Sequence, residues 1–468
     1  MEGSPNPGKG SSQSLRSRSQ IERELRELSS SLPIQSVVAA LGSDAELYLV
    51  GGIVRDVAEG VTPGDLDLAT VLRPEEVVRR LEVAGIRVVP TGLQHGTVLA
   101  VIDGVHLEIT TFRRPGAQYG ATIQEDLSGR DFTINALAFS LKDGELLDQY
   151  QSLEDIASRL LRGVGSARDR FEEDPLRVLR AIRFGPAAGR SMTPEVRVAI
   201  SQVKERLRSV SPERIRLELE RILIGTDPAA GVRELAGCGL LELILPEALP
   251  SIGCDQNRFH TQDVFEHTLT VIERAPRDLT LRLTGLFHDL GKPATLSVDE
   301  DGNRHFYKHE EVSAEIAQQV MGRLRFSNEM SDRVQKLVRL HMRPVDCGPA
   351  GVRRLLRDLG DDFEAWRTFK FADSPPIMSD EEVAAQMRIF DEKVATEIER
   401  RNRAGGSLLK IRGQDLLDAG LREGPRVGAI LRQLGELVLE DPTLNERDKL
   451  LELAAALNEK LTGNTPER

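Results

Sequence analysis

Apolar residues recur at helical spacing from Ile21 to Leu41 and predict one helix there. The next apolar run, Leu47-Tyr48-Leu49-Val50, is short, reads as a strand and ends at Gly51-Gly52. Asp65-Leu66-Asp67-Leu68 alternates polar with apolar, the strand period. Further strands are predicted at Arg87–Val89, Val98–Ile102 and Val105–Thr111, with a helix over Arg73–Ala84. To about Tyr150 the pattern therefore describes a compact α/β region. Beyond it helical spacing dominates: Asp174–Phe184, Glu213–Leu223, and a long stretch from Asp263 to Leu340 that turn-forming residues interrupt at Leu296–Arg304. Ser379–Arg403 reads as one charged helix, and Gly405-Gly406-Ser407 marks a boundary before a last helical module.

A chain of 468 residues argues for more than one domain, and 40% hydrophobic residues are enough to build real cores. No apolar run is long enough to cross a bilayer, and the N-terminus lacks the apolar stretch of a secretory signal. The first twenty residues, rich in Ser, Gly and Arg, read as a disordered tail, with an organellar address as the alternative. Cys238, Cys254 and Cys347 are scattered without a CxxC pair, which argues against a disulfide framework or a cysteine zinc site and for a cytoplasmic location. The net charge of −12 excludes a generally basic nucleic-acid binder. Between Arg159 and Arg221, however, basic residues outnumber acidic ones 15 to 9, and most are arginines, which suit phosphate and base recognition.

Asp65 and Asp67 stand two apart on a predicted strand, so both carboxylates face one side, roughly 6–7 Å apart along it. Carboxylates so placed repel unless a cation lies between them, and Mg²⁺ readily joins such oxygens to phosphates. Gly51-Gly52, between a strand and Arg55-Asp56, lets the backbone approach a triphosphate closely. Glu108, on the later strand, offers a third carboxylate to the same ions.

Together these segments resemble one family. Leu49–Asp56 (LVGGIVRD), Asp65–Thr70 (DLDLAT), Gly129–Ala136 (GRDFTINA) and Glu172–Phe184 (EEDPLRVLRAIRF) look like the class II tRNA nucleotidyltransferase and poly(A) polymerase family, in the family's order. The resemblance implies a polymerase-β-like α/β head with a mixed sheet, followed by a mostly helical neck, body and tail. It implies that Asp65 and Asp67 hold catalytic Mg²⁺ and that Gly51, Gly52, Arg55 and Asp56 surround the triphosphate. Arg130, Asp131 and Asn135 would contact the incoming nucleotide. Glu173, Asp174 and Arg177 match the motif that reads the base, with Arg180 one turn further on. Asp accepts and Arg donates, so Asp174 and Arg177, expected on one helix face, are able to read a Watson–Crick edge. The implied partners are the tRNA 3′ end, CTP and ATP.

Two departures stand out. Gly129 replaces the first arginine of a pair that the family often has before Asp131. Only Arg114–Glu125 separates Arg113 from Asp126, where many enzymes that build the whole CCA end carry a longer loop. In the family, loss of that loop accompanies addition of C residues without the final A, so the resemblance implies a bias toward CC addition.

Five of the eight histidines lie between His260 and His309. His267, His288-Asp289 and Asp373 resemble the HD phosphohydrolase pattern, with Asp346 as the alternative last ligand. Imidazole and carboxylate together suit a divalent transition metal, and His309 and His341 are additional ligands or phosphate-binding groups. Lys410–Leu431 resembles the family's tRNA-gripping tail, with Gly413, Asp415, Leu416, Gly420, Gly424, Pro425 and Gly428 at matching places. The expected divisions are a tail (1–20), a nucleotidyltransferase head (21–150), a helical neck (151–225), an HD-type domain (226–403) and a tRNA-binding tail (404–468). A poly(A) polymerase is one rival reading. An RNA-end phosphohydrolase whose head only binds RNA is another.

Overall fold

The computed structural model describes residues 16–64, 66–89, 96–114, 116–256, 262–375, 378–403 and 409–463. Asp65, His260, Gly405-Gly406-Ser407 and most of the expected N-terminal tail therefore lie outside the described residues. The chain forms two compact units, Met1–Leu249 and Pro250–Arg468.

The first unit is built on a seven-stranded mixed sheet. Its strands are β1 (Tyr48–Val50), β2 (Leu66–Thr70), β3 (Arg87–Val89), β4 (Thr97–Ile102), β5 (Val105–Thr111), β6 (Ala138–Ser140) and β7 (Leu146–Leu147). Their order is β3-β4-β5-β2-β1-β6-β7. Only β2 and β5 run parallel, with Asp67 opposite Glu108; the other neighbours are antiparallel. Leu49, Leu68, Val98, Ala100, Leu107 and Ile109 are buried against the helices that cover the sheet.

The predicted helix from Ile21 to Leu41 is two helices, Arg18–Ser29 and Leu32–Leu41. The first begins earlier than expected because Ser17 and Gln20 form a capping box. The second starts afresh because Pro33, near its N-terminus, has no backbone N–H to continue a helix. The predicted helix Asp174–Phe184 is likewise divided. Helix Ala167–Glu173 ends at Asp174, whose backbone is extended before Pro175, and helix Arg177–Phe184 follows. Phe132 is fully buried between Phe171 and Phe184 of these two helices, at ring distances of 6.2 and 6.1 Å.

The second unit is nearly all helical. Helices Val264–Arg274, Leu279–Phe287, His309–Arg323, Asn328–Leu340 and Phe363–Ala372 surround its polar centre. The expected interruption after Leu296 is a hairpin of Leu296–Val298 and Arg304–Phe306. Asp380–Arg403 is a single helix, and Val383, Met387 and Phe390 on it pack with buried Trp366. Among the described residues no helix is long and apolar enough to cross a membrane.

Replacing Phe132 by Ala removes the ring that joins the sheet to both neck helices and should cost about 3–5 kcal/mol. Urea denaturation followed by circular dichroism would register it as a lower midpoint for the transition of the first unit, and an unchanged midpoint would contradict this packing.

Candidate functional site

Gly51 turns the chain from β1 into helix Gly52–Glu59 at φ +67°, a conformation that favours glycine. A side chain there would also strike the Arg130 guanidinium, since an added Cβ would lie 2.6 Å from Nη1. At Gly52 a Cβ would stand 3.9 Å from Asp67 Oδ2 and 3.7 Å from Arg55 Nη2. The glycine turn therefore faces the strand that carries Asp67. Asp67 and Glu108 occupy paired positions on the parallel strands β2 and β5 and share one face of the sheet; Asp67 is half-buried and Glu108 exposed. The three acidic positions considered from sequence are thus represented by two described ones, both on one sheet face beside the turn.

Behind this face runs a polar chain. Arg55 Nη1 donates to Asn135 Oδ1 at 2.6 Å, while its Nε and Nη2 donate to Asp56 Oδ1 at 3.1 and 2.7 Å. Asn135 Nδ2 donates to Asp131 Oδ1 at 3.1 Å, and Arg180 Nε and Nη2 both reach Asp131 Oδ2 at 2.6 Å. Burial pushes the Asp131 carboxyl up in pKa, but the Arg180 charge and the hydrogen bonds from Asn135 and Arg180 outweigh it and hold the group below its ordinary range. Arg130 donates to Asp126 Oδ2 from Nε and Nη2, at 3.2 and 2.8 Å. Burial alone would lower the Arg130 pKa; the charges of Asp126, Asp131 and Asp67 raise it. Asp126 was not singled out in the sequence, although its place four residues before Arg130 is the spacing of a helical ion pair.

The base-reading triplet is arranged differently from expectation. Because Pro175 separates two helices, Asp174 and Arg177 do not lie on one helix face. Arg177 Nη1 donates to Glu173 Oε2 and to the Arg170 carbonyl, each at 3.1 Å, and its Nη2 to the Gly129 carbonyl at 3.2 Å. Asp174 Oδ2 instead accepts from Arg214 Nη2 at 2.7 Å. Arg214 comes from a later helix, Pro212–Leu223, and no local spacing pointed to it. Phe184, also missed, lies under three guanidiniums: Arg55, Arg180 and Arg183, at 5.1, 5.3 and 3.9 Å.

In the second unit His267, His288 and Asp373 form one group of converging ligand atoms, and Asp289, His309 and His341 another. Asp373 arrives from the end of helix Phe363–Ala372 and stands 3.2 Å from His267 Nε2 and 3.4 Å from His288 Nε2. The site is buried, and Lys292 Nζ reaches both Asp289 Oδ2 and Gln256 Oε1, at 2.7 and 2.6 Å. Neither Lys292 nor Gln256 stood out in the sequence. Burial would lower the His288 pKa, but the Asp289 and Asp373 charges raise it to about 10. Burial and the neighbouring His288 charge push His341 down to about 3. Two buried carboxylates here draw positive charge inward. Around Asp289 the imidazoles of His288 and His309 stand 3.2 Å from its two oxygens, with the Lys292 ammonium on Oδ2, and imidazole with carboxylate is a donor set that a divalent cation takes.

Arg180→Ala leaves Asp131 buried without its guanidinium and should cost about 1.5–3 kcal/mol at neutral pH. Asp131 has a lowered folded pKa, so its ionic contribution is present above the usual carboxylate range and is lost as pH falls through the folded value. The difference between the variant and the parent protein should therefore shrink below about pH 4, where unfolded carboxyls protonate. Urea unfolding at a series of pH values measures it; a difference independent of pH would refute the ionic account.

Comparison with known proteins bears on the family and the fold. Residues 47–162 match the poly(A) polymerase head domain, 191–251 the probable RNA- and SrmB-binding site of polymerase A, and 260–366 the HD domain. An A-adding tRNA nucleotidyltransferase of Deinococcus radiodurans is 33% identical over 83% of this chain and 90% of its own length. A CCA-adding enzyme of Levilactobacillus brevis is 28% identical over 92% and 98%. In fold, the chain resembles the Bacillus stearothermophilus CCA-adding enzyme crystallised with CTP, with a TM-score of 0.69, 24% identity, and coverage of 93% of this chain and 100% of that one. A head of this kind implies a divalent metal. The chain belongs to the class II tRNA nucleotidyltransferase family, with a poly(A) polymerase head, an RNA-binding segment and an HD domain.

Proposed function

We propose that this enzyme lengthens the 3′ end of tRNA from CTP, and with less facility from ATP, and that Asp65, Asp67 and Glu108 form its ion-binding edge. The tRNA 3′-oxygen forms a bond to the α-phosphorus as the bond to the β-phosphate oxygen breaks, releasing pyrophosphate. Mg²⁺ at the aspartates supplies charge stabilisation to the attacking and leaving oxygens. Residues of this chain do the rest. The Gly51-Gly52 turn leaves space for the triphosphate beside Arg55 and Asp56, Asn135 and Asp131 face the nucleotide with Arg130, and Glu173, Asp174 and Arg177 present donors and acceptors to the base. The observation that carries the reading is the placement of Gly52 within reach of Asp67 and Arg55, with Glu108 in register alongside.

The preference for C rests on the short segment after β5. Gly120 N donates to the Phe112 carbonyl at 2.6 Å, closing the segment on itself. An added Cβ at Gly120 would lie 2.7 Å from the Arg113 carbonyl oxygen, so the two strands of this turn touch. Tyr119 is held under the Arg73 guanidinium at 4.0 Å. So tight a turn supports a base site that stays in one setting. The Deinococcus relative named as A-adding favours the second reading, addition of the terminal A. In the second unit, His267, His288, Asp289 and Asp373 hold a divalent transition metal that serves phosphoester hydrolysis.

Loss of Asp67 removes several kcal/mol of charge stabilisation, so Asp67→Ala should slow nucleotide transfer by about a thousandfold. Single-turnover assays with radiolabelled CTP would show it, and a near-normal rate would remove Asp67 from the chemistry. The second measurement offers CTP and ATP together to tRNA lacking CCA and to tRNA ending in CC. Addition stopping at CC supports the C preference. Efficient conversion of CC ends to CCA overturns it, long A tracts indicate a poly(A) polymerase, and no extension leaves only the hydrolase.

A further inference from the structure

We propose that Arg190 is a positioning residue for nucleotide selection: paired with Glu59, it fixes the separation between the glycine turn and the base-reading helix. This rests on the reading above, in which the turn receives the triphosphate and Glu173, Asp174 and Arg177 meet the base.

Helix Gly52–Glu59 begins at that turn and ends at Glu59. Helix Arg177–Phe184 begins with a base-reading candidate and ends at Phe184. Contacts from both ends of the first helix reach the end of the second. In the first turn of helix Gly52–Glu59, the Arg55 guanidinium stands 5.1 Å from the centre of the Phe184 ring. In its last turn Glu59 meets Arg190, 131 residues away in sequence, through an ion pair between Oε1 and Nη2. Nη1 of the same guanidinium donates to the Phe184 carbonyl at 3.0 Å. One side chain therefore holds the last residue of each helix at once.

Arg190 is itself fixed. Its backbone N–H donates to the Gly185 carbonyl at 2.9 Å, closing the turn that follows helix Arg177–Phe184. A Cβ at Gly185 would lie 2.7 Å from the Ala181 carbonyl oxygen, so the chain leaves that helix packed tightly against its last turn. A guanidinium at this end also complements the negative pole of the helix dipole. The ion pair is nevertheless a poor source of stability. The Arg190 side chain is 6% exposed and that of Glu59 24%. Arg190 Nε is buried without a hydrogen-bond partner among the described residues. Taking two charges out of water costs about what their attraction contributes, and apolar side chains of similar size often hold such a junction as well. What the pair adds is direction. A planar guanidinium with one nitrogen on a carbonyl and another on a carboxylate admits one arrangement, whereas an apolar contact slides. With the separation fixed, a wrong base anchored by its triphosphate at the turn fails to meet the donors and acceptors of Asp174 and Arg177.

The experiment measures kcat/KM of the full chain for CTP, ATP, UTP and GTP, each offered singly with tRNA lacking CCA and with tRNA ending in CC. Discrimination is the ratio between the preferred nucleotide and the next. Arg190→Met and Glu59→Gln should each lower that ratio by about tenfold. The double variant should lower it no further, since both residues act through one contact. A merely structural pair would lower only the folded fraction, which reduces all four rates alike and leaves the ratio unchanged. Urea midpoints report folding separately, and if Arg190→Met does not fold, Glu59→Gln decides. Effects that multiply in the double variant refute the pairing. An unchanged ratio in the single variants, beside a lowered one in Arg177→Ala, overturns the role of Arg190 alone. An unchanged ratio in Arg177→Ala as well removes the base-reading assignment on which it rests.

Discussion

A buried carboxylate ties the head to the helices behind it. Asp131 receives two hydrogen bonds from Arg180 of the neck on one oxygen, and on the other the side chain of Asn135, which in turn accepts from Arg55. Each member of this chain fixes the next. An ionised carboxylate in low dielectric is tolerable only when paired, so Asp131 requires Arg180 where it is. Asn135, donating to Asp131, must turn its carbonyl oxygen outward, which orients Arg55 beside the glycine turn. Helix Arg177–Phe184, which carries base-reading candidates, is thereby locked to the turn expected to face the triphosphate. One network thus fixes the helix and the turn relative to each other.

The sheet makes a complementary contribution. Among the described strands of the seven-stranded sheet, only β2 and β5 run parallel, and that pairing places Asp67 beside Glu108 without any long side chain having to reach. Gly52 lets the turn stand close to both Asp67 and Arg55. Crowding around Gly51 explains why the turn cannot carry a side chain: its Cβ position is already taken by Arg130, itself held by Asp126.

The sheet and the glycine turn were legible in the sequence, because strand alternation and glycine at a strand end are local signals, while of the paired aspartates only Asp67 is among the described residues. The strands Arg87–Val89, Val98–Ile102 and Val105–Thr111 appear with at most a residue's change at an end. The two helix breaks were not read, although Pro33 and Pro175 mark both; the apolar period continues through each proline and hid the interruption. β6 and β7 are too short to carry a period. Partners set by tertiary contact left no trace at all. Arg214 meets Asp174 across 40 residues, and Lys292 looks like an ordinary helix-end lysine until Asp289 is found beside it. Asp373, by contrast, was reachable as a residue type, while its convergence with His267 across 106 residues was not implied by spacing.

The two units gather their candidate cation ligands by opposite means. At the edge of β2 and β5 the candidate ligands are carboxylates alone, Asp67 half-buried and Glu108 exposed, on one sheet face. Oxygen ligands with access to water suit Mg²⁺, which dehydrates reluctantly and arrives with its nucleotide. In the second unit imidazoles dominate, nearly every donor is buried, and backbone carbonyls fix three of the rings from behind. Burying these carboxylates costs desolvation that the Lys292 ammonium offsets in part, and nitrogen donors favour a transition metal over Mg²⁺. This chain carries the carboxylate edge and the imidazole cluster in separate units.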